Sequence, residues 1–173
     1  MLLSVSLVYG IRFEFTPKTN PQASSTPIAY GVNGGFKLTL TLQKTEFSLG
    51  EPVNVTLTVT NISNQTMGFG DAPSWWDFLV FNDTDNGLYQ WLRTSGHFFP
   101  FYVTTVNLDP RMGLTNEVLV WPQTCNSTLG RYGAADSPVS PGTYYIVGRY
   151  DYFGHDFDYN LQTTPIQITI AQP

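Results

Sequence analysis

Apolar and polar positions alternate along most of this chain, and the alternation is longest at its start. In MLLSVSLVYGIRFEF every odd position from Met1 to Phe15 is apolar, whereas the even positions are mostly small or polar. A period of two places alternate side chains on opposite faces of a β-strand. Residues 1–15 are therefore predicted to form one long amphipathic strand, which at about 3.3 Å per residue would span about 50 Å.

Further strands are predicted along the rest of the chain, separated by turn-forming residues. FKLTLTLQKTEF and PVNVTLTVTNI alternate most regularly, and the inward set is Phe36, Leu38, Leu40, Leu42, Val53, Val55, Leu57 and Val59. Six more runs follow: WWDFLVF, GLYQWLR, PFYVTTVNL, LTNEVLVW, GTYYIVGRY and PIQITIA. About eight strands at this spacing, with no convincing helix, predict an all-β sandwich of about 7–8 strands.

A Pro- and Gly-rich segment separates the first strand from the others. It carries three prolines and three glycines, namely Pro17, Pro21, Pro27, Gly31, Gly34 and Gly35. Such a composition is typical of a semi-extended linker. The predicted organisation is thus an N-terminal strand at 1–15, a linker at 16–35 and a sandwich at 36–173.

The charge balance limits the possible partners. The chain has 173 residues, a net charge of −5 and only 12% charged residues. An acidic chain is unsuited to binding nucleic acid or an anionic membrane surface. Residues 1–15 are too short and too amphipathic for a transmembrane helix, and they lack the basic start of a signal peptide. We expect a mature chain without a membrane span.

Asparagine occurs in an unusual number of glycosylation sequons. The chain of 173 residues contains 11 Asn and 32 Ser or Thr residues, so about two Asn-x-Ser/Thr sequons are expected by chance. Five are present, at Asn54, Asn61, Asn64, Asn82 and Asn126. This excess, with a single cysteine and hence no intrachain disulfide, suggests an exported protein that carries N-glycans.

Chemistry-bearing residues are sparse, so we expect no enzyme, no catalytic residues, no metal and no cofactor. Cys125 is predicted to be a buried apolar residue. Asp151, His155, Asp156 and Asp158 could hold a metal, but neighbouring residues of a strand point to opposite faces. The aromatic run from Trp75 to Tyr102 is predicted to be mostly core, with a carbohydrate-binding surface as the alternative.

Three stretches resemble a known family. Residues 47–61 (FSLGEPVNVTLTVTN), 76–81 (WDFLVF) and 139–145 (VSPGTYY) are similar to Ig-like sandwich domains of the BsuPI proteinase-inhibitor type. The similarity covers about residues 36–170 and lies in turns, strand faces and buried aromatics. It implies an Ig-like fold for the sandwich.

The layout of the whole chain resembles a second family, the donor-strand-complemented thread filaments of archaea. That resemblance implies that residues 1–15 are a donor strand, which fills a groove in a neighbouring copy. The interface residues would be the apolar face Leu3, Val5, Leu7, Tyr9, Ile11, Phe13 and Phe15. The expected protein is a glycosylated extracellular filament subunit, a cell-surface appendage for adhesion whose partners are copies of itself.

Other interpretations remain open. Residues 1–15 could pack within their own domain, because the linker is long enough for either arrangement. The chain could be a secreted Ig-like binding module, either a proteinase inhibitor or a carbohydrate-binding domain. It could also be an envelope protein associated with an S-layer, anchored by its N-terminal strand.

Overall fold

The computed structural model describes residues 26–71, 76–82, 88–90, 104–116, 118–125, 137–153 and 158–172. Within them the protein is all-β, as predicted, and no helix has the length and apolar character needed to cross a membrane. The strands are β1 (Ile28–Asn33), β2 (Phe36–Leu42), β3 (Glu46–Ser48), β4 (Val53–Asn61), β5 (Met67–Asp71), β6 (Trp76–Asn82), β7 (Leu88–Gln90), β8 (Thr104–Leu108), β9 (Gly113–Thr115), β10 (Leu119–Trp121), β11 (Thr124–Cys125), β12 (Ser137–Pro138), β13 (Gly142–Phe153), β14 (Asp158–Gln162) and β15 (Ile166–Ala171).

Two large sheets form the sandwich. One has five strands in the order β1-β2-β4-β10, with β9 also paired to β4. The other has six in the order β3-β15-β13-β6-β7, with β14 also paired to β13. The short β3 runs parallel to β15, and every other described pair is antiparallel. This arrangement confirms the predicted Ig-like sandwich, although its strands are shorter and more numerous than predicted.

The alternation along β2 and β4 builds the core, as the sequence predicts. All eight predicted inward residues of these strands are completely buried, whereas the residues between them are half-buried or exposed. They face Ile146 and Ile168 of the six-stranded sheet. Burying an aliphatic side chain of this size contributes about 1.5–3 kcal/mol, so this layer is a main source of stability.

An aromatic cluster connects the small β5–β8 sheet to the sandwich. The ring of Phe69 on β5 stacks on Tyr150 of β13 with centroids 4.7 Å apart, and Trp76 lies 4.9 Å from Tyr150. The hydroxyl of Tyr150 also donates a hydrogen bond to the carbonyl of Gly70. Trp76 thus belongs to the core, as predicted for this part of the aromatic run.

The predicted linker is wrong over residues 28–33, which form β1. This strand pairs with β2 along its whole length, from Ile28 opposite Thr41 to Asn33 opposite Phe36. The glycines that suggested a linker have other roles. Gly34 and Gly35 form the hairpin turn with φ of 56° and 83°. Gly31 lets β1 pass so close to β14 that a Cβ atom there would overlap the backbone of Gln162.

Candidate binding loops

The turn between β8 and β9, residues 109–112, combines exposure with an uncommon backbone conformation. The N–H of Met112 donates to the carbonyl of Asp109 at 2.9 Å and closes a four-residue turn. Pro110 is its second residue, and the third residue, Arg111, has a φ of 68°. This is the arrangement of a type II turn, whose third residue is usually glycine. All four side chains are exposed. We call residues 109–112 the Arg111 turn.

The left-handed backbone of Arg111 is strained. A side chain with a Cβ atom in this region of φ costs about 1–2 kcal/mol relative to the right-handed region. Gln123, the other described non-glycine residue with a positive φ, is buried and hydrogen-bonded through its amide. In the described part of the chain, the Arg111 guanidinium has neither a hydrogen bond nor an ion pair. Among the described residues, no hydrogen bond or ion pair of this side chain compensates the strain.

Hydrogen bonds hold the Arg111 turn against the end of β4. The N–H of Arg111 donates to the carbonyl of Asn61 at 2.9 Å, and the N–H of Asn61 donates to the carbonyl of Met112 at 2.9 Å. The hydroxyl of Thr66 donates to a carboxylate oxygen of Asp109 at 2.6 Å. The exposed turn is therefore fixed from both sides.

The side chain of Asn61 organises the loop next to that turn. Its amide nitrogen donates to the carbonyls of Gln65 at 2.7 Å and Leu108 at 2.8 Å. Its amide oxygen accepts from the N–H of Ser63 at 2.9 Å and from the hydroxyl of Ser63 at 2.7 Å. Every hydrogen-bonding position of this amide is thereby used. Loop 62–66 is held beside the Arg111 turn as a result.

The prediction of a glycan acceptor at Asn61 is contradicted by this arrangement. Asn61 is completely buried, and both amide hydrogens are bonded inside the fold. Asn54 and Asn64 are exposed, whereas Asn82 is half-buried. Asn126 lies outside the described residues. Glycosylation at these four positions stays a prediction.

Three exposed side chains belong to backbone segments that meet at this end of the sandwich. Met112, which is 54% exposed, follows the exposed Arg111, and Ile62, which is 46% exposed, follows Asn61, whose backbone bonds to both residues of the turn. A third loop joins them, because the N–H of Ile62 donates to the carbonyl of Gly35 at 2.9 Å. We call Ile62, Arg111 and Met112 the loop surface. It offers a partner one cation and two apolar side chains.

A second exposed apolar feature lies on the outer face of the five-stranded sheet. Ile28, Tyr30 and Val32 of β1 are 59%, 62% and 59% exposed, while Ala29 between them is buried. The neighbouring outer positions of β2 are the half-buried Lys37, Thr39 and Thr41. We call the three apolar residues the β1 stripe.

The remaining predicted sites fall mostly outside the described residues. This is true of the whole donor-strand face, Leu3, Val5, Leu7, Tyr9, Ile11, Phe13 and Phe15, and of the side chains of Cys125 and the Asp151–His155 group. Where the structure is described, no group of three or more possible metal ligands occurs. Donor-strand pairing and the absence of a metal both stay predictions.

The sequence contains only a weak signal for the loop surface. Pro110 followed by a polar residue and Gly113 is compatible with a turn after β8. Nothing in it indicates that Arg111 would take the left-handed position. That conformation depends on the hydrogen bonds to Asn61, 50 positions earlier in the chain by residue number.

Comparison with known proteins adds one family match. A family model described as BsuPI, intracellular proteinase inhibitor, matches residues 40–150, which is more than half of the chain. No curated protein matches the sequence. The matched range contains both Asn61 and the Arg111 turn.

Solved structures are similar only distantly. A β-glucosidase from Listeria innocua in complex with glucose is 13% identical with a TM-score of 0.42, over 78% of this chain and 16% of that one. A β-glucosidase from Erythrobacter marinus is 12% identical with a TM-score of 0.39, over 84% of this chain and 16% of that one. The chain thus spans about one sixth of the length of these enzymes.

The family match corrects the predicted location. Its description as an intracellular proteinase inhibitor points to the interior of the cell and contradicts the expected cell-surface appendage. The description also names an inhibitor rather than an enzyme, in line with the expectation of a non-catalytic protein.

Proposed function

This chain belongs to the BsuPI family of intracellular proteinase inhibitors, and from that membership we propose that it is a non-catalytic module that binds and inhibits a proteinase. The loop surface supplies the contact. The observation that carries this assignment is the strained, exposed Arg111, whose side chain has no structural partner among the described residues.

The strain at Arg111 supports a functional role for its side chain. Glycine adopts a left-handed φ without steric cost, so a turn selected only for stability would have glycine at this position. Backbone strain of this kind is concentrated at ligand-binding and active sites. Arg111 is an exposed cation in a conformation that costs free energy. A partner that binds its side chain would explain why arginine is present there.

The hydrogen bonds around Asn61 support inhibition rather than loose association. A loop that is already ordered loses little conformational entropy when a partner binds. The Arg111 turn is held by backbone bonds at Arg111 and Met112 and by the Thr66–Asp109 bond, all between 2.6 and 2.9 Å. A pre-organised turn of this kind allows a small surface to bind tightly.

The experiment compares the wild-type protein with Arg111→Gly in inhibition assays against serine, cysteine, aspartic and metalloproteinases. We expect inhibition of at least one class, and a rise of the inhibition constant by about tenfold or more in the variant, since one buried charged contact contributes about 1.5–3 kcal/mol. The fold should be retained because glycine suits the turn. Asn54→Ala, an exposed change at the opposite end of β4, is the control and should inhibit like the wild type. Failure of the wild-type protein to inhibit any class would contradict the proposal.

A second candidate function is self-assembly, without the cell-surface location. The β1 stripe favours it, because its three apolar side chains lie at alternate positions of β1 and are each about 60% exposed. A partner strand with one apolar face could pack against them. The occupant would be residues 1–15 of a second copy, which carry apolar residues at every odd position. Such a head-to-tail contact does not close on itself and would produce chains of subunits.

Light scattering after size exclusion tests this second candidate. The wild-type protein should elute as oligomers, and Leu7→Asp or Tyr30→Asp should each elute as monomers, because either change would bury a charge in the contact. Asn64→Asp, an exposed change away from the stripe, should leave the oligomers unchanged. A monomeric wild-type protein over a wide concentration range would rule out self-assembly and leave proteinase inhibition untouched.

A further inference from the structure

The loop surface is positively charged although the whole chain is acidic. The net charge of the protein is −5, yet the turn itself carries the cation Arg111, and a second cation, Lys37, lies on β2 near this end of the sheet. Lys37 lies opposite Thr60, which in turn lies opposite Gly113, directly after the turn. Two strand spacings, about 10 Å, therefore separate the Lys37 and Gly113 backbones.

These cations are not neutralised within the described residues. The salt bridge found there joins Lys44 and Glu51, at the other end of β4. The carboxylate within the turn, that of Asp109, accepts a hydrogen bond from Thr66 rather than pairing with Arg111. The guanidinium therefore keeps both its charge and its donor groups available for a partner.

From this geometry we infer that the target proteinase has an acidic specificity pocket and that the side chain of Arg111 occupies it. The inference rests on the proposed inhibitory function and adds the chemistry of the partner. A guanidinium that leaves water needs a carboxylate to compensate its desolvation, and a hydrogen bond between two charged groups is about twice as strong as one between neutral groups. An apolar pocket would offer no such compensation.

The backbone of the turn indicates that Arg111 inserts only its side chain into the pocket. Its peptide bond does not enter the active site as that of a substrate would. A peptide that adds to an enzyme as an extended strand needs free backbone groups and an extended φ. Arg111 has a φ of 68°, and its N–H is bonded to Asn61. The N–H and the carbonyl of Met112 are bonded to Asp109 and Asn61. The peptide bond after Arg111 is therefore not presented for cleavage.

The apolar neighbours complete the contact. Met112 follows Arg111 in the chain, Ile62 follows the residue that bonds to Arg111, and each has about half of its surface exposed. Apolar side chains around a central charged residue exclude water from it and strengthen the charged pair. The expected footprint is thus a central cation in an acidic pocket, surrounded by an apolar rim.

The test measures inhibition constants of the full chain against trypsin, which has an acidic specificity pocket, and chymotrypsin, which has an apolar one. We expect the wild-type protein to inhibit trypsin about a hundredfold more strongly than chymotrypsin. The inhibition constant of Arg111→Leu against trypsin should rise about a hundredfold, while that of Arg111→Lys should stay within about tenfold of the wild type because lysine keeps the positive charge at neutral pH. Mass spectrometry should find the bond between Arg111 and Met112 intact after prolonged incubation.

The outcomes separate this inference from the proposed function. Inhibition of chymotrypsin or of another class, unchanged in Arg111→Leu, would overturn the inference and leave the inhibitory function standing. Rapid cleavage after Arg111 would contradict a binding mode in which only the side chain enters the proteinase. Absence of inhibition in every assay would overturn both. If Arg111→Leu and Arg111→Lys both inhibited trypsin equally weakly, the positive charge would not be what the partner recognises. This result would also overturn the inference.

Discussion

Two turns at opposite ends of β4 share a closing hydrogen bond and a positive φ at the third residue, but they have different residues at that position. In residues 48–51, the Gly50 turn, the N–H of Glu51 donates to the carbonyl of Ser48 at 3.0 Å, and Gly50 has a φ of 84°. In the Arg111 turn the corresponding bond is 2.9 Å and the φ of Arg111 is 68°. One turn has the residue that this conformation favours, and the other has a strained cation.

Each turn lies beside a buried residue with a side-chain amide. Gln123 accepts from the N–H of Gly50 at 2.7 Å and donates to the carbonyl of Ser48 at 3.0 Å. Asn61 bonds to the Arg111 turn through its backbone, and its amide donates to the carbonyls of Gln65 and Leu108 next to that turn. Support from the fold is therefore similar at both ends. What differs is the side chain at the third position, and this difference points to selection for binding at the Arg111 end alone.

Removing the side-chain amide of Asn61 or of Gln123 should give the largest difference between the two ends of β4. Asn61→Ala leaves the backbone carbonyls of Leu108 and Gln65 without their partner, which should lower the free energy of unfolding by about 2–4 kcal/mol. It should also weaken inhibition, because loop 62–66, whose Thr66 bonds to Asp109 of the Arg111 turn, loses its support. Gln123→Ala should destabilise the protein comparably and inhibit normally. Chemical denaturation and inhibition constants are the measurements.

Asn61→Asp tests the same support with a side chain of unchanged shape. It replaces the amide hydrogens by an oxygen that faces the carbonyls of Gln65 and Leu108 and cannot donate when ionised, so the loss of stability should be at least as large as in the alanine variant. Equal inhibition by Asn61→Asp and Gln123→Ala, at equal stability, would contradict the view that the two ends differ in function.

Placing arginine in the Gly50 turn tests the strain directly. A Cβ atom at Gly50 would meet no other atom within 4 Å, so Gly50→Arg adds a left-handed side chain without a clash. The free energy of unfolding should fall by about 1 kcal/mol. Thermal and urea denaturation measure the loss, and inhibition should be unchanged. A fall of several kcal/mol would mean that factors other than φ act there.

The reciprocal change, Arg111→Gly, should have a smaller effect of opposite sign on stability. Relief of the strain is partly offset by the greater freedom of glycine in the unfolded chain, so we expect a gain of up to about 1 kcal/mol. Urea denaturation measures it. If the variant were clearly less stable than the wild type, Arg111 would have a structural role, and the argument from strain would fail.

The smallest expected effect concerns pH at the Gly50 turn. The hydrogen bond from Lys44 and then that from the Ser48 N–H lower the pKa of Glu51 below its ordinary value. Its stabilising contribution is therefore present above the unfolded-state pKa and is lost as the pH falls through the lowered value. Glu51→Gln should melt slightly earlier than the wild type at about pH 7, and the difference should vanish at about pH 2. A difference that grew in acid would contradict this sign.

The strand faces of β2 and β4 could be predicted from sequence, but the role of individual asparagines and glycines could not. Leu38, Leu40 and Leu42 are buried as their period of two indicates. Asn61 belongs to a sequon that by itself suggests an exposed acceptor, yet it is completely buried. Local composition cannot distinguish an asparagine that faces solvent from one that bonds to Leu108, because the second arrangement depends on a distant strand.

The sequence by itself determined the fold class, because alternation of apolar and polar side chains is a local property that any pleated strand converts into a buried and an exposed face. Only the tertiary structure decided which turn carries the strained cation on which the proposed function rests. The conformation of Arg111 and the burial of Asn61 each result from contacts between residues far apart in the chain. Such contacts form only when the sandwich closes, and they have no periodic trace in the sequence.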